Sequence, residues 1–315
     1  MSGSHVYAIR LRTRFRDIEV REGVLIRGPA GWGEFSPFRE YDDAEAASWW
    51  RAAREAADDG WPPPVRQRVP VNATVPAVRP EDVAGVLARF PGCTTAKVKV
   101  AAAQQSPAED EDRLRAVRDE LGPGGRIRID ANGAWDVETA TSLLPRYHRA
   151  AGGLEYAEQP CRTTEELAAV RRKLDIPIAA DESIRRAGDP LRVASLEAAD
   201  VAVLKVQPLG GVRACLRIAE QIDLPVVVSS ALETSVGIAA GVALAAALPA
   251  LPYACGLATV GLLAHDVVDD PLVAVDGALP VRRPIPSETK LAAVRADEPT
   301  STWWTDRIAR VQQRS

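Results

Sequence analysis

Strands and helices alternate along most of the chain, and this alternation limits the fold more than any other feature. From Val69 onward, short apolar runs are followed by longer segments in which apolar residues recur at helical spacing. The unit repeats about every 25 to 30 residues, the length of one strand and helix in a (β/α)8 barrel. Repeated βα units predict a parallel sheet, and eight strands favour closure into a barrel. The predicted strands are 69–75, 95–100, 126–130, 153–158, 177–181, 199–205, 224–229 and 253–257.

The segments between these strands have the pattern of helices with one buried face. In the segment 108–121, Leu114, Val117 and Leu121 recur at the spacing of one helix face, with charged residues between them. Ser106 precedes this segment and is a suitable N-cap. The predicted helices are 81–90, 108–121, 137–150, 164–174, 189–196, 212–222 and 235–248.

The first 68 residues do not follow this alternation. They contain two strand-like runs, 6–12 and 23–27, a predicted turn at 31–34 and an alanine-rich amphipathic helix at 42–58. Three prolines at 62–64 then interrupt the chain, as expected of a linker.

The tail after Asp270 is predicted to hold two short extended pieces and a final helix at 305–313. We therefore predict an α/β fold: a (β/α)7β TIM-like barrel over 69–270, with a small α+β capping domain. Residues 1–68 would form that domain, with the tail 271–315 packed on it. Its expected core anchors are Trp49, Trp50, Trp303 and Trp304.

Charge and apolar patterning exclude several classes of function. The formal net charge is −4 and the isoelectric point is near 5.6, which argues against a general nucleic-acid binder or a protein that binds acidic membranes. No apolar run approaches the ~20 residues that a membrane span needs, and no charged-then-apolar leader is visible. We expect a cytoplasmic enzyme with a small-molecule partner; the sequence does not indicate its oligomeric state.

Charged residues end five successive predicted strands. In a barrel the C-terminal ends of the strands meet at one mouth, where catalytic residues lie. Each of these residues alone has an ordinary explanation as a helix cap, a turn residue or a solvated strand end. Together they predict one cluster of three carboxylates flanked by amines. The five residues are Lys99, Asp130, Glu158, Asp181 and Lys205.

Three carboxylates at one buried point predict a divalent metal site. Burial of Asp130, Glu158 and Asp181 beside one another is unfavourable unless a cation neutralises them. Ligand sets made only of oxygen suit Mg²⁺ or Mn²⁺ far better than zinc. We predict Mg²⁺, with Mn²⁺ as the alternative.

The lysines predict proton transfer at an acidic C–H bond. Lys97 and Lys99 point to the same face of their strand, because side chains alternate along a strand. An ordinary lysine has a pKa near 10.4, so a lysine that acts as a base must lose its proton more easily. A neighbouring ammonium, a dication and burial all lower the pKa. Removal of a proton next to a carboxylate gives an enediolate, which a divalent cation stabilises.

With these residues placed, the chain resembles the enolase superfamily and, within it, the muconate-cycloisomerase-like subgroup. It is most similar there to the o-succinylbenzoate synthases, the dehydratases of menaquinone biosynthesis. Strand seven ends in serines and offers none of the histidines typical of mandelate-racemase-like members. Besides the strand-end residues, the resemblance rests on the stretches 31–38, 128–133, 158–160, 180–183 and 229–234.

The resemblance implies a dehydration that begins with Lys99, which would remove the α-proton of 2-succinyl-6-hydroxy-2,4-cyclohexadiene-1-carboxylate. The same group would protonate the departing hydroxyl, and Lys205 would stabilise the enediolate. Lys97 is the third catalytic candidate. The expected substrate-binding residues are Ser229, Ser230, Asn132 and Arg128. Caps of the helix 235–248 are the alternative role of the two serines.

Two other functions remain open from the sequence. Racemisation of N-acylamino acids, or another 1,1-proton transfer, would use the same two lysines as bases on opposite faces. Segment 253–263 holds no acid that could bind a substrate ammonium, which favours a neutral or anionic substrate. A barrel kept only as a binding or scaffold protein is the non-catalytic alternative.

Overall fold

The computed structural model describes residues 4–15, 18–186 and 188–314. The N-terminal region begins with a three-stranded antiparallel sheet in the order β1-β2-β3. Helix α1 packs against this sheet and continues as one π-helical turn, Glu55–Asp59. These elements are β1 (Ser4–Phe15), β2 (Ile18–Gly28), β3 (Gly31–Phe35) and α1 (Asp43–Arg54).

A curled parallel sheet of seven strands follows, so the fold is α/β. A short strand, β4 (Arg68–Pro70), precedes it, and its strands lie in the order β11-β10-β9-β8-β7-β6-β5. They are β5 (Ala73–Val75), β6 (Thr95–Lys99), β7 (Arg126–Asp130), β8 (Tyr156–Glu158), β9 (Ile178–Ala180), β10 (Val201–Leu204) and β11 (Val226–Val228).

Helices connect these strands, and most of the predicted ones are confirmed within a few residues. The segment 189–196 forms only one helical turn, and two further one-turn helices directly follow the ends of β9 and β10. None of the helices in the described ranges is long and apolar enough to cross a membrane. The helices are α2 (Val83–Leu87), α3 (Pro107–Leu121), α4 (Val137–Ala150), α5 (Thr164–Arg171), α6 (Glu182–Arg185), α7 (Arg192–Ser195), α8 (Val206–Leu209), α9 (Val212–Gln221) and α10 (Ser235–Ala247).

The two outer strands of the parallel sheet are joined by one short segment. The amide of Asn72 donates to the carbonyl of Cys255 at 3.0 Å, and the amide of Gly256 donates to Val228 at 2.8 Å. The predicted strand 253–257 is therefore wrong in length, because only Cys255 and Gly256 form bridges to neighbouring strands. The pairing nevertheless connects both sheet edges.

The predicted strand 69–75 is also two elements. Its first part, β4, pairs antiparallel with a strand of the C-terminal tail, β12 (Ala278–Pro280). Its second part, β5, pairs parallel with β6. The chain changes partner at Val71, whose amide donates to Gly277 at 2.9 Å. Sequence pattern did not reveal this change because both parts are apolar.

The predicted turn at 31–34 is wrong, since these residues begin strand β3. The turn lies just before, at residues 29 and 30. A side chain at Gly33 would place its Cβ 2.0 Å from the carbonyl oxygen of Ala53 in α1. Glycine is therefore required there because strand and helix approach closely.

The two ends of the chain share one apolar cluster. Helix α11 (Glu288–Ala293) leads to α12 (Glu298–Gln312), whose Trp304 is buried against the N-terminal sheet. The ring of Phe35 contacts Trp50 at 5.5 Å and Trp304 at 5.9 Å between centroids. Helix α12 begins earlier than predicted because Asp297 caps it, accepting from the amide of Thr300 at 2.9 Å.

Glu34 of β3 joins the N-terminal sheet to the start of α10. Its carboxylate accepts hydrogen bonds from the amides of Gly237 at 3.0 Å and Thr234 at 3.2 Å. The hydroxyl of Tyr7 donates to it at 2.6 Å. A negative charge at a helix N-terminus is stabilised by the unpaired amides there, so this contact holds two parts of the chain together.

Glu233 lies beside this contact and is fully buried. Its carboxylate accepts from the amide of Ala231 at 2.9 Å. Burial, with the nearby charge of Glu34, raises the pKa of Glu233 to about 7. In the unfolded chain this carboxyl would have the ordinary pKa near 4.3. The folded chain therefore holds the proton more tightly, and stability is lost as pH rises from about 4.3 through about 7.

We expect Glu233→Gln to stabilise the protein at high pH. The variant cannot ionise, so its free energy of unfolding relative to wild type should rise between pH 4.5 and pH 8, by about 2 to 3 kcal/mol. Denaturant unfolding of both proteins across this range measures the difference. Glu220→Gln, an exposed change in α9, is the control and should give a constant difference. The same constant difference for Glu233→Gln would contradict the assignment.

Candidate active site

Neighbouring strand ends bring the predicted residues together. Lys99 ends β6 and is in register with Asp130 at the end of β7, which is in register with Glu158 at the end of β8. Asp181 and Lys205 directly follow β9 and β10. All three carboxylates are at most 1% exposed. The parallel sheet therefore places every one of these side chains at the same end, as its strand direction requires.

Lys97 lies between two of the carboxylates. Its Nζ donates to both oxygens of Glu158, at 2.8 and 2.9 Å, and lies 3.4 Å from Oδ2 of Asp130. Burial would lower the pKa of Lys97, but the charges of Glu158 and Asp130 raise it well above its ordinary value. Lys97 is thus held as an ammonium that neutralises two neighbouring strand ends.

Lys99 has a different electrostatic environment from Lys97. Its Nζ donates to Oδ2 of Asp130 and to Oδ1 of Asn132, the second at 2.8 Å. Burial lowers the pKa of Lys99; Asp130 opposes this shift and the ammonium of Lys97 adds to it. Lys99 therefore gives up its proton more readily than an ordinary lysine, which is what a base requires.

Asp181 is bound from two sides. Its Oδ2 accepts from Nζ of Lys205 at 2.6 Å, and its Oδ1 accepts from Nε of Arg185 at 2.9 Å. Burial would raise the pKa of Asp181, but these two cations hold it well below its ordinary value. Both oxygens of Asp181 are thus fixed in the ionised state.

Glu158 is the carboxyl whose charge is least favoured. Burial and then the negative charge of Asp130 raise the pKa of Glu158 to about 7, although Lys97 opposes the shift. The charge of Asp181 raises it further. The three carboxylates are therefore close enough to destabilise one another's charges, and a positive ion among them would relieve that repulsion.

A small cavity opens above these strand ends. The ionised side chains among its described lining residues are ammonium groups, and the others are hydroxyls, an amide, two phenyl rings and small apolar groups. Such a lining suits an anionic molecule with an apolar ring. The lining residues are Phe15, Phe38, Thr74, Lys97, Lys99, Asn132, Lys205, Ser229, Ser230, Ala231, Leu232, Gly256 and Thr259.

The structure places both predicted serines on this cavity. Ser230 shares a hydrogen bond with Thr259 at 2.8 Å between their hydroxyl oxygens. Neither serine caps α10, because Thr234 is its N-cap and accepts from the amide of Val236. The alternative role of the two serines as caps is therefore wrong.

Arg21 of β2 holds the loop that carries these serines by donating to the carbonyl of Leu232 at 3.0 Å.

Arg128 does not reach the cavity. It lies two residues before Asp130 on the same face of β7, and so one layer deeper inside the sheet. Its Nη1 donates to the carbonyl of Ala254 at 2.7 Å, and its guanidinium lies 4.7 Å from the ring centroid of Tyr156. Glu155 accepts from its Nε. The prediction that Arg128 contacts substrate is corrected: it fills the interior and pairs with protein groups.

The role of Gln159, the residue after Glu158, is not among the predictions from the sequence. Its Oε1 accepts from the amides of Asp181 at 3.0 Å and Ser183 at 3.1 Å. Its backbone has φ of 40°, a left-handed conformation that is rare for a side-chain-bearing residue. The sequence feature that could have indicated this role is the Glu-Gln-Pro segment at a strand end. Gln159 thus fixes the main chain that carries Asp181.

The donor chemistry of the three carboxylates fits a divalent cation. Their six oxygens are buried and mutually repulsive, and oxygen ligands are those that Mg²⁺ and Mn²⁺ prefer. As they stand, the described residues contain no group of three acidic, His or Cys side chains arranged to hold a metal ion. Lys97, Lys99 and Lys205 occupy their oxygens instead. A bound cation must therefore replace some of these ammonium contacts.

Two family models match parts of this chain. Residues 82–285 match the enolase C-terminal domain-like family, and residues 6–57 match the enolase N-terminal domain-like family. The o-succinylbenzoate synthase of Thermobifida fusca (strain YX) is 66% identical over 303 residues, covering 96% of this chain and 94% of that protein. The o-succinylbenzoate synthase of Mycolicibacterium smegmatis is 57% identical, covering 96% and 93%.

Solved structures show the same fold at low identity. A muconate lactonizing enzyme from Pseudomonas fluorescens, complexed with muconolactone, superposes with a TM-score of 0.79 and 22% identity over 93% of this chain and 98% of that one. The L-Ala-D/L-Glu epimerase of Bacillus subtilis gives 0.74 and 22% over 90% and 96%. Similarity at this low sequence identity supports a shared fold only. The reaction must be inferred from the residues of the site.

We expect Gln159→Leu to destabilise the folded protein. The change leaves two buried amides without an acceptor, each worth about 1 to 3 kcal/mol, so the free energy of unfolding should fall by at least about 2 kcal/mol. Denaturant unfolding measures it. Gln221→Leu, at an exposed position in α9, is the control and should change stability by no more than about 0.5 kcal/mol. Equal effects of the two changes would contradict the role of Gln159.

Proposed function

Because the chain belongs to the enolase superfamily and, within it, to the o-succinylbenzoate synthase family, we propose that it is a hydro-lyase of menaquinone biosynthesis. The reaction is the dehydration of 2-succinyl-6-hydroxy-2,4-cyclohexadiene-1-carboxylate to o-succinylbenzoate and water. Relatives of 55 to 66% identity over nearly the whole chain support this activity. The proposed location is the cytoplasm, and the proposed partner is this small anionic substrate.

We extend the proposal to the architecture. The seven parallel strands and the bridging pair Cys255 and Gly256 form a (β/α)7β barrel over residues 69–270. Residues 1–68 form a capping domain on which the tail 271–315 packs. The apolar cluster shared by α1 and α12 supports the packing of the tail on residues 1–68, and the contact of Glu34 with α10 supports the packing of the capping domain on the barrel.

The lining of the cavity is the observation on which the proposed chemistry rests. Its three lysines are Lys97, Lys99 and Lys205, and the rings of Phe15 and Phe38 lie on the same cavity. The substrate carries two carboxylates and a six-membered carbon ring. The positive lining suits its charge, and the phenyl rings suit its apolar body.

Lys99 is the proposed base. The pKa of Lys99 is lowered, whereas Lys97 keeps its proton, so the pair divides into one base and one fixed cation. Neutral Lys99 takes the α-proton, and its new ammonium then gives a proton to the departing hydroxyl on the same face. One C–H bond and one C–O bond break, a C=C bond forms, and water leaves.

Lys205 and the carboxylates stabilise the negative charge that develops. Lys205 forms an ion pair with Asp181 and lines the cavity, so its positive charge can face the enediolate. Asp130, Glu158 and Asp181 are the residues that would hold Mg²⁺ or Mn²⁺. When bound, the cation supplies positive charge for the substrate carboxylate next to the acidic C–H bond.

We expect Lys99→Ala to lower kcat by about 10²-fold or more while the fold is retained, because the base is removed. An absorbance assay follows conversion of the cyclohexadiene to the aromatic product, and circular dichroism follows the fold. Lys173→Ala, at an exposed position, is the matched control and should keep wild-type turnover. Turnover near wild type in Lys99→Ala would end the assignment.

Racemisation of an N-acylamino acid is the alternative outcome, and Lys205 separates the two reactions. In dehydration Lys205 acts through its charge, which Lys205→Arg keeps. In racemisation the same residue must accept a proton, which arginine does not do. Activity of wild-type protein on the N-acylamino acid, with loss of that activity in Lys205→Arg, would favour the racemase.

Removal of divalent cations should abolish dehydration. We expect wild-type protein treated with a chelator and desalted to lose its activity in the absorbance assay, since the substrate carboxylate then lacks its positive partner. Addition of Mg²⁺ or Mn²⁺ should restore it. Full activity after complete removal, verified by elemental analysis, would contradict a metal-dependent reaction.

A further inference from the structure

We propose that Arg185 is a positioning residue, which orients the Asp181 carboxylate and links it to the N-terminal region through Tyr41. The inference rests on the proposed function, because Asp181 is one of the three proposed metal ligands. Arg185 belongs to the one-turn helix α6 and does not line the cavity with the lysines. It therefore acts through Asp181.

The guanidinium of Arg185 makes three directed contacts. Its Nε donates to Oδ1 of Asp181 at 2.9 Å, its Nη1 to the hydroxyl of Tyr41 at 2.9 Å, and its Nη2 to Oε1 of Glu182 at 2.6 Å. The side chain is only 3% exposed. A planar guanidinium held at all three nitrogens has a fixed orientation, and a carboxylate bound to it is fixed as well.

Tyr41, whose hydroxyl accepts from Arg185, is held in place by other residues of the N-terminal region and by α12. The ring of Tyr41 packs edge-to-face on Phe38 at 5.6 Å and against Trp49 at 6.1 Å between centroids. The carbonyl oxygens of Phe38 and Tyr41 accept from the guanidinium of Arg307 in α12. Tyr41 is thus a fixed point to which Arg185 is attached.

Arg185 binds only one of the two oxygens of Asp181, so a cation could replace the Lys205 ammonium at the other. Oδ1 is bound to Arg185, whereas Oδ2 accepts from the ammonium of Lys205. A ligating carboxylate that is hydrogen-bonded on one oxygen presents its other oxygen in a defined direction, and loss of such partners commonly weakens metal binding about 10- to 100-fold. Arg185 has this relation to Asp181.

The same segment also contributes to the cavity. Phe38 lines the cavity and lies three residues before Tyr41. Because Arg307 binds the carbonyls of both residues, a shift of this segment moves the cavity wall and the partner of Arg185 together. The link therefore couples the placement of the N-terminal region to the orientation of a proposed metal ligand.

Mn²⁺ titration of metal-free, full-length protein tests the proposal without turnover, with the dissociation constant read by calorimetry or by electron paramagnetic resonance. Arg185→Lys keeps the charge but not the three-way contact, and should weaken Mn²⁺ binding about 10-fold or more. Tyr41→Phe removes one hydroxyl and should weaken it about fivefold, as expected for one hydrogen bond. Arg192→Lys, in an exposed ion pair with Glu165, is the control and should bind as wild type does.

If Arg185→Lys bound Mn²⁺ with wild-type affinity, the proposal would be overturned, because a positive charge alone would then suffice to orient Asp181. If that variant does not fold, Tyr41→Phe decides, and unchanged affinity there overturns the link. Wild-type protein that binds Mn²⁺ without dehydrating the cyclohexadiene would contradict the proposed function, while the two variants would still decide the role of Arg185. Wild-type protein that binds no Mn²⁺ would overturn both.

Discussion

Pairing of buried charges at the strand ends is the constraint on which the rest of the site depends. Ionised groups away from water are tolerated only when each has a partner of opposite charge. Here Asp130 accepts from Lys99, Glu158 from Lys97, and Asp181 from Lys205 and Arg185. The three lysine pairs join residues at the ends of different strands, so they form only when the curled sheet has formed, whereas Asp181 and Arg185 are four residues apart. The charge pairs of the site between different strands therefore exist only in the folded protein.

The N-terminal region completes the site by supplying neutral and charged groups at its rim. Phe15 and Phe38 bring phenyl rings to the cavity, and Arg21 and Glu34 fix the loop that ends in α10. Glu34 is buried and its pKa is raised by burial, although four partners oppose the shift. The sheet of parallel strands thus provides the reacting groups, and the N-terminal sheet determines the walls around them.

Sequence pattern predicted those parts of the molecule that depend on local periodicity. The common location of residues at or just after strand ends, such as Asp130 and Lys205, is predictable because parallel strands share one direction. Arg128 was misplaced because alternation gives the face of a side chain but not its depth in the sheet. The pairing of β4 with β12 and the contact of Arg185 with Tyr41 join residues far apart in sequence. No local pattern encodes such contacts, since they arise only when separate segments have packed.

The apolar cluster formed by both ends of the chain has a consequence for biosynthesis. Trp304, Ile308 and Val311 of α12 belong to the same cluster as Trp49 and Trp50 of α1. During synthesis the N-terminal sheet and α1 emerge from the ribosome long before α12 is made, so the part of the cluster that α12 covers stays exposed until the last helix emerges. The parallel strands, whose neighbours follow one another along the chain, can pair during this interval. The reacting groups at the strand ends are therefore synthesised before the helix that completes the apolar cluster.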